Sequence, residues 1–172
     1  MTPSGTLPTD RFLTTLWVVA REGRHLAYSR RRVYTEPIDA EWVRCLEGQP
    51  VVAERLEAFV SRFGRMQDTI AAKLLPRWLM AQAEEPGSQL ETLNRAERLE
   101  VLEDAEQWLE ARNLRIRLVH EYMENPERFT ADLLLANGHC DMLFGTYHRV
   151  REFALTRLGI TEDRVPNVVN PL

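Results

Sequence analysis

Apolar residues recur three and four positions apart along nearly the whole chain, and no convincing run alternates with a period of two, a pattern that predicts an all-helical fold. A first helix is expected to start at Thr9 or Asp10 as N-cap and to carry Phe12, Leu16, Val19 and Leu26 on one side. Gly23 is its weak point, and it should break near "YTEPID". A short helix is expected in "DAEWVRCLEG", capped by Asp39 and stopped by Gly48. Pro50 suits the first turn of a long helix whose stripe reads Val52, Leu56, Phe59, Phe63, Met66, Ile70 and Leu74, with a kink at Pro76.

"AEEPGSQLE", residues 83 to 91, mixes charge with Pro, Gly and Ser between two periodic segments and reads as an exposed loop. A helix or helix pair is expected from about Thr92 to Tyr122, with Leu93, Ala96, Leu99, Leu102, Ala105 and Leu109 facing inward. In "ENPERF", Asn125 is a good N-cap and Pro126 a good first helical residue. The last helix carries Phe129, Leu133, Ala136, Cys140, Leu143, Phe144, Tyr147, Val150 and Ala154, with Gly138 as a weak point and Gly159 as a stop. The expectation is one domain over 1–172, its core in about 10–158, followed by an irregular tail over 160–172.

Composition narrows the function classes. Hydrophobic residues make up 44% and charged residues 28%, and no apolar run approaches the roughly 20 residues of a membrane-spanning helix. "MTPSGTLPTDRF" has no basic flank ahead of an apolar stretch, so no secretory signal, no membrane and a cytoplasmic location are expected. Cys45 and Cys140 are far apart and lack partners at metal-ligand spacing, so reduced thiols and no metal are expected. A net charge of −4 argues against a surface that coats nucleic acid generally, though not against a local basic site. Lys73 is the only lysine, so almost all positive charge is guanidinium, which forks onto phosphate oxygens but can equally be a compositional habit.

"RNLRIRLVHEY", residues 112 to 122, gathers Arg112, Arg115 and Arg117 ahead of His120 and Tyr122. Cations in a last helical turn complement the negative end of the helix dipole, and Arg117 can pair with Glu121, which together form an ordinary explanation. Geometry offers another. At about 100° per residue, Arg115 and Tyr122 lie within about 20° of each other, while His120 is about 140° round from Arg115. One helix cannot aim all three at one point except through arginine's long reach or a break in the helix, whereas two copies across a two-fold axis can. Histidine passes protons near neutral pH, and arginine stabilises charge building on a phosphate. The reaction that suits the pair is attack of an RNA 2′-hydroxyl on the neighbouring phosphate.

The longer string "LRIRLVHEYMENPERF" resembles the signature segment of HEPN-domain proteins, particularly the HepT-like ribonuclease toxins, whose motif is Arg, four residues, His, one residue, Tyr. Arg115, His120 and Tyr122 match it position by position, and "FGRMQDTIAAKLLP" and "LNRAERLEVLEDAEQWLEARN" look like the preceding helices, so the likeness covers roughly residues 10 to 158. The resemblance implies an antiparallel helical bundle that dimerises about a two-fold axis, with the motifs of both chains lining one cleft. It implies a metal-independent endoribonuclease without cofactor, acting on RNA and held in check by a minimal nucleotidyltransferase, the MNT antitoxin, that adenylylates the motif tyrosine. Arg115 and His120 would be catalytic, and Tyr122 the modification site. This chain departs from the family at Ile116, where a polar residue, often Asn, usually follows the motif Arg. A register shift would instead use Arg112 and Asn113, and the departure also admits a HEPN-type module that has lost catalysis and only binds the nucleotidyltransferase.

Four further features remain open. Asp68, an acid inside an apolar helical stretch, either orients a motif residue or sits on an exposed face or in a structural ion pair. Arg117 is a possible supporting residue. "REGRHLAYSRRRVY", residues 21 to 34, is either a solvated helix end or a contact for the RNA backbone. His139 and His148 fall near the core stripe of the last helix, where structural histidines are expected.

Overall fold

The computed structural model describes residues 7–120 and 124–172. It is all-helical, with no β-strand among the described residues. The elements are α1 (Pro8–Val33), α2 (Ala40–Arg44), a 3-10 turn (Cys45–Gly48), α3 (Pro50–Thr69), a π-helical turn (Ile70–Leu74), α4 (Leu75–Met80), α5 (Gln89–Arg98), α6 (Ala105–His120), α7 (Pro126–Thr156) and a final 3-10 turn (Glu162–Arg164).

Local chemistry explains most of the boundaries. α1 begins one residue before the polar cap candidates, because Pro8 supplies a first-turn position whose missing N–H costs nothing there. It runs without interruption through Gly23. Asp39 accepts from the Trp42 amide at 2.7 Å and starts α2, while Asn125 accepts from the Arg128 amide at 3.0 Å and starts α7. Ser88 and Glu91 form a reciprocal capping box, so the segment expected to be a loop through residue 91 already turns helical at Gln89. At Pro76 the long helix does not break. The ring cannot accept the carbonyl four residues back, and the widened π turn just before α4 relieves that clash and carries the helix on to Met80.

α1 packs along α3, with α4 and α7 also against it, and α6 lies against α3, α5 and α7. Phe12, Leu16, Leu26, Phe59, Phe63, Trp78, Trp108, Phe129 and Tyr147 fill the space between them and are buried. The expected inward stripe of α5 and α6 holds at Leu93, Ala96, Leu102 and Ala105, but Leu99 is exposed and Leu109 only half-buried. The reason is a break at residues 99–104, where Glu100 adopts φ 61° and the Glu97 carboxylate accepts from the Ala105 amide at 2.7 Å. α7 continues through Gly138, and Gly159 follows its end at φ 63°, a conformation that costs glycine little. The remaining chain is irregular apart from its 3-10 turn, yet it is docked. Val165 and Val169 are buried, the Tyr147 hydroxyl donates to the Asn167 carbonyl at 2.8 Å, and Trp17 Nε1 donates to the Arg164 carbonyl at 3.2 Å. Among the described residues no helix is long and apolar enough to cross a membrane.

Candidate functional site

The buried stripe of α6, Trp108, Ala111, Leu114 and Leu118, fixes what the rest of that helix presents. With Leu114 and Leu118 locked into the core, Arg115 swings to the α3 side while Ile116 (52% exposed) and Val119 (63% exposed) face outward. The Arg115 side chain lies across α3 at Gly64. A Cβ built on that glycine would stand 3.0 Å from Arg115 Nε and 3.2 Å from its Cγ and Cδ. The absence of a side chain at 64 therefore makes room for the arginine stem.

One turn further along α3, Asp68 takes the guanidinium at 3.2 Å in a half-exposed ion pair. The two helices form an open groove of about 550 Å³, lined by Leu56, Val60, Gly64, Arg65, Asp68, Arg115, Leu118 and Val119 among others. Its floor is apolar and its rim charged. Such a groove can seat a flat apolar group while a guanidinium faces a phosphate.

His120 is the last residue of α6 and is exposed, outside the lining of that groove. One chain thus brings Arg115 and Asp68 together and leaves His120 on another side, in keeping with their angular separation on one helix. Tyr122 and Glu121 lie outside the described residues. Arg112 is exposed and donates to Gln89 Oε1 at 3.0 Å. Arg117 makes a two-pronged pair with Asp132 of α7, at 3.0 Å and 2.9 Å, and Asp132 is buried. This is a tie between α6 and α7, and its geometry is that of fork-to-carboxylate pairing.

Sequence reasoning missed Gly64 and Asp132. For Gly64 a signal existed, since a lone glycine inside a strong apolar helical stripe, in "FVSRFGRMQ", costs about 1 kcal/mol against alanine and so asks for a packing reason. Nothing in the pattern distinguished Asp132 from other acids.

The remaining titratable groups have structural surroundings. Burial pushes His148 down, helped by the nearby Arg151 charge, and its Nε2 accepts from the Val169 amide at 3.0 Å. Burial likewise lowers His139, whose Nε2 has no hydrogen-bond partner among the described residues. The buried Cys140 thiol is pushed up to about 12 by desolvation, while Cys45 is exposed. Among the described residues no group of three His, Cys, Asp or Glu side chains is placed to hold a metal ion. Comparison of the chain with protein-family models, with curated proteins and with solved structures finds no match in any of the three.

Proposed function

We propose that this chain is a HEPN-type, metal-independent endoribonuclease, the toxin of a toxin–antitoxin pair, and that it works in the cytoplasm as a two-fold dimer. The observation that carries the reading is the pose of Arg115, laid over Gly64 and held by Asp68 at the rim of a groove, on the same helix whose end presents His120 to solvent. Ile116 and Val119 give the outward face of that helix apolar surface for a second copy to cover, which would bring the missing histidine to each arginine.

In such a dimer one His120 takes the proton from the ribose 2′-hydroxyl as its oxygen attacks phosphorus. The other His120 gives a proton to the departing 5′-oxygen, leaving a 2′,3′-cyclic phosphate and a 5′-hydroxyl. Arg115 steadies the charge on the phosphorane. Tyr122 is the residue a nucleotidyltransferase antitoxin of the MNT type would adenylylate, placing a bulky anion two residues from His120.

A second reading has its own support. The carboxylate of Asp68 is the partner that Arg115 holds, and it competes with phosphate for the guanidinium, while Ile116 offers no hydrogen bond to help. On that reading the chain is a catalytically silent helical module that binds the nucleotidyltransferase. RNA cleavage in EDTA by wild type, Arg115→Ala and His120→Ala, with analysis of product ends, separates the two. Cutting that yields cyclic phosphate and is lost in both variants is expected. A folded, unadenylylated dimer that leaves several RNAs intact refutes the nuclease.

A further inference from the structure

α1 and α3 leave between them two shallow depressions that continue the groove of Arg115. The nearer, about 230 Å³, is lined by Arg21, Glu22, His25, Arg62 and Arg65, with Val18. Arg65 also lines the Arg115 groove, and Arg62 also lines a further depression of about 320 Å³ that holds Tyr28, Arg32 and Arg55 with one acid, Glu54. The three are therefore contiguous, joined by shared arginines.

Helical spacing explains the line. Residues 21, 25, 28 and 32 fall on one side of α1, and 55, 62 and 65 on one side of α3, so two basic stripes face outward along a seam whose inner sides are core. From Arg55 to Arg65 the seam runs ~15 Å.

Many arginines elsewhere hold carboxylates, as Arg30 holds Asp141 and Arg164 holds Asp10. Along the seam, Arg21, Arg55 and Arg65 make no hydrogen bond or close ion pair among the described residues, although the Arg65 charge is near enough to Glu22 to favour its ionised form. Arg62 is anchored, donating to Ser29 Oγ at 2.6 Å and to the His25 carbonyl at 3.2 Å, which fixes a cation at the junction of the two depressions. The acid in the nearer depression, Glu22, accepts from Thr69 Oγ1 at 3.0 Å and is half-buried, and burial raises its carboxyl above the ordinary range. At the far end the exposed Tyr28 ring has Arg32 over it, 5.7 Å from the ring centre. Guanidiniums in series, several of them without a close carboxylate, and an exposed ring are what a phosphodiester strand with stackable bases recognises.

We propose that the α1–α3 seam is a track for the backbone of single-stranded RNA, leading from Tyr28 and Arg32 past Arg62 and Arg65 to Arg115. The proposal rests on the ribonuclease reading for its substrate but on separate residues for its geometry. It makes substrate capture an electrostatic property of one face of an otherwise acidic protein.

The test uses the full chain and a fluorescent, mixed-sequence single-stranded RNA whose riboses are 2′-O-methylated, so that it lacks the attacking hydroxyl. Binding is followed across a salt series for wild type and Arg21→Gln/Arg55→Gln, two residues outside the Arg115 groove. Each phosphate contact on a single strand contributes a slope of about −0.7 in log affinity against log salt, so losing two lowers the slope by ~1.4 and the affinity at 0.1 M salt by ~25-fold. Against unmethylated RNA, the same variant should cut with raised KM and preserved kcat. An unchanged slope and affinity in the double variant overturns the track while leaving the nuclease reading intact. Wild type that cuts RNA yet fails to bind the methylated strand overturns it as well, and a chain that neither binds nor cuts refutes both. Equal competition by polyglutamate and RNA would assign the seam to an acidic protein partner instead.

Discussion

Replacing Gly64 by alanine tests the pose of Arg115 without touching any charged residue. The added methyl would meet Arg115 Nε at 3.0 Å and its Cγ and Cδ at 3.2 Å. Comfortable contacts of this kind start at ~3.5 Å, so the arginine stem must retreat by about half an ångström. Because the guanidinium lies beyond that pivot, it shifts by at least as much, and misplacement on the order of 1 Å costs up to ~100-fold in rate. On the ribonuclease reading, a fall in kcat/KM of ~10- to 100-fold is expected, which corresponds to ~1.4–2.7 kcal/mol of lost transition-state stabilisation. Stability should hardly change. Alanine gains about 1 kcal/mol over glycine inside a helix, and weakening a half-exposed ion pair such as Arg115–Asp68 costs at most about 1 kcal/mol. RNA cleavage, thermal melts and a double-mutant cycle with Arg115→Ala measure both sides. In the Arg115→Ala background, with no stem left to displace, the Gly64→Ala change should only add alanine's helix preference of about 1 kcal/mol to the stability read by the melt. Full activity in Gly64→Ala would show that Arg115 works from another position, and a large drop in melting temperature would show that Gly64 matters for packing instead.

Two further outcomes are expected. Arg117→Ala leaves the buried Asp132 carboxylate without its fork-like partner and should cost about 2–3 kcal/mol, a fall in melting temperature of ~5–10 °C, with much of it recovered in Arg117→Ala/Asp132→Leu. A melt unchanged by Arg117→Ala would show that water repays the carboxylate. His148 is held below its ordinary value of 6.5, so below that pH the unfolded chain takes up a proton the folded chain resists, and stability is lost as pH falls through that window. Protonation also removes the acceptor for the Val169 amide, so hydrogen-exchange protection at Val169 should fall with it. A pH-independent Val169, or an equal acid loss in His148→Ala, would refute this.

The sequence by itself determined the helices whose information is local. The stripes of α1, α3 and α7 persist long enough to define a buried face, and Asp39, Asn125 and Pro50 mark starts because a cap or a missing N–H acts within one turn. The Ser88–Glu91 capping box is equally local, a serine followed three residues later by glutamate, set among loop-forming residues. The motif residues Arg115, His120 and Tyr122 were legible as residue types at a spacing, and so was the fact that one helix cannot converge them.

Tertiary structure decided what depends on residues distant in sequence. The α5–α6 break contains neither glycine nor proline, and Val101 and Leu102 within it are buried in the core while the Glu97 carboxylate accepts from the Ala105 amide across it. The irregular tail docks because α7 offers His148 and Tyr147 as partners for its backbone. Arg115 could have met solvent, water or any acid, and only the packing of α6 on α3 puts Gly64 beneath it and Asp68 at its tip. The two stripes of arginine on α1 and α3 become one seam for the same reason. Periodicity encodes which face of a helix is buried, whereas the neighbour that buries it, and so the charges on either side of the seam, are set by the three-dimensional packing.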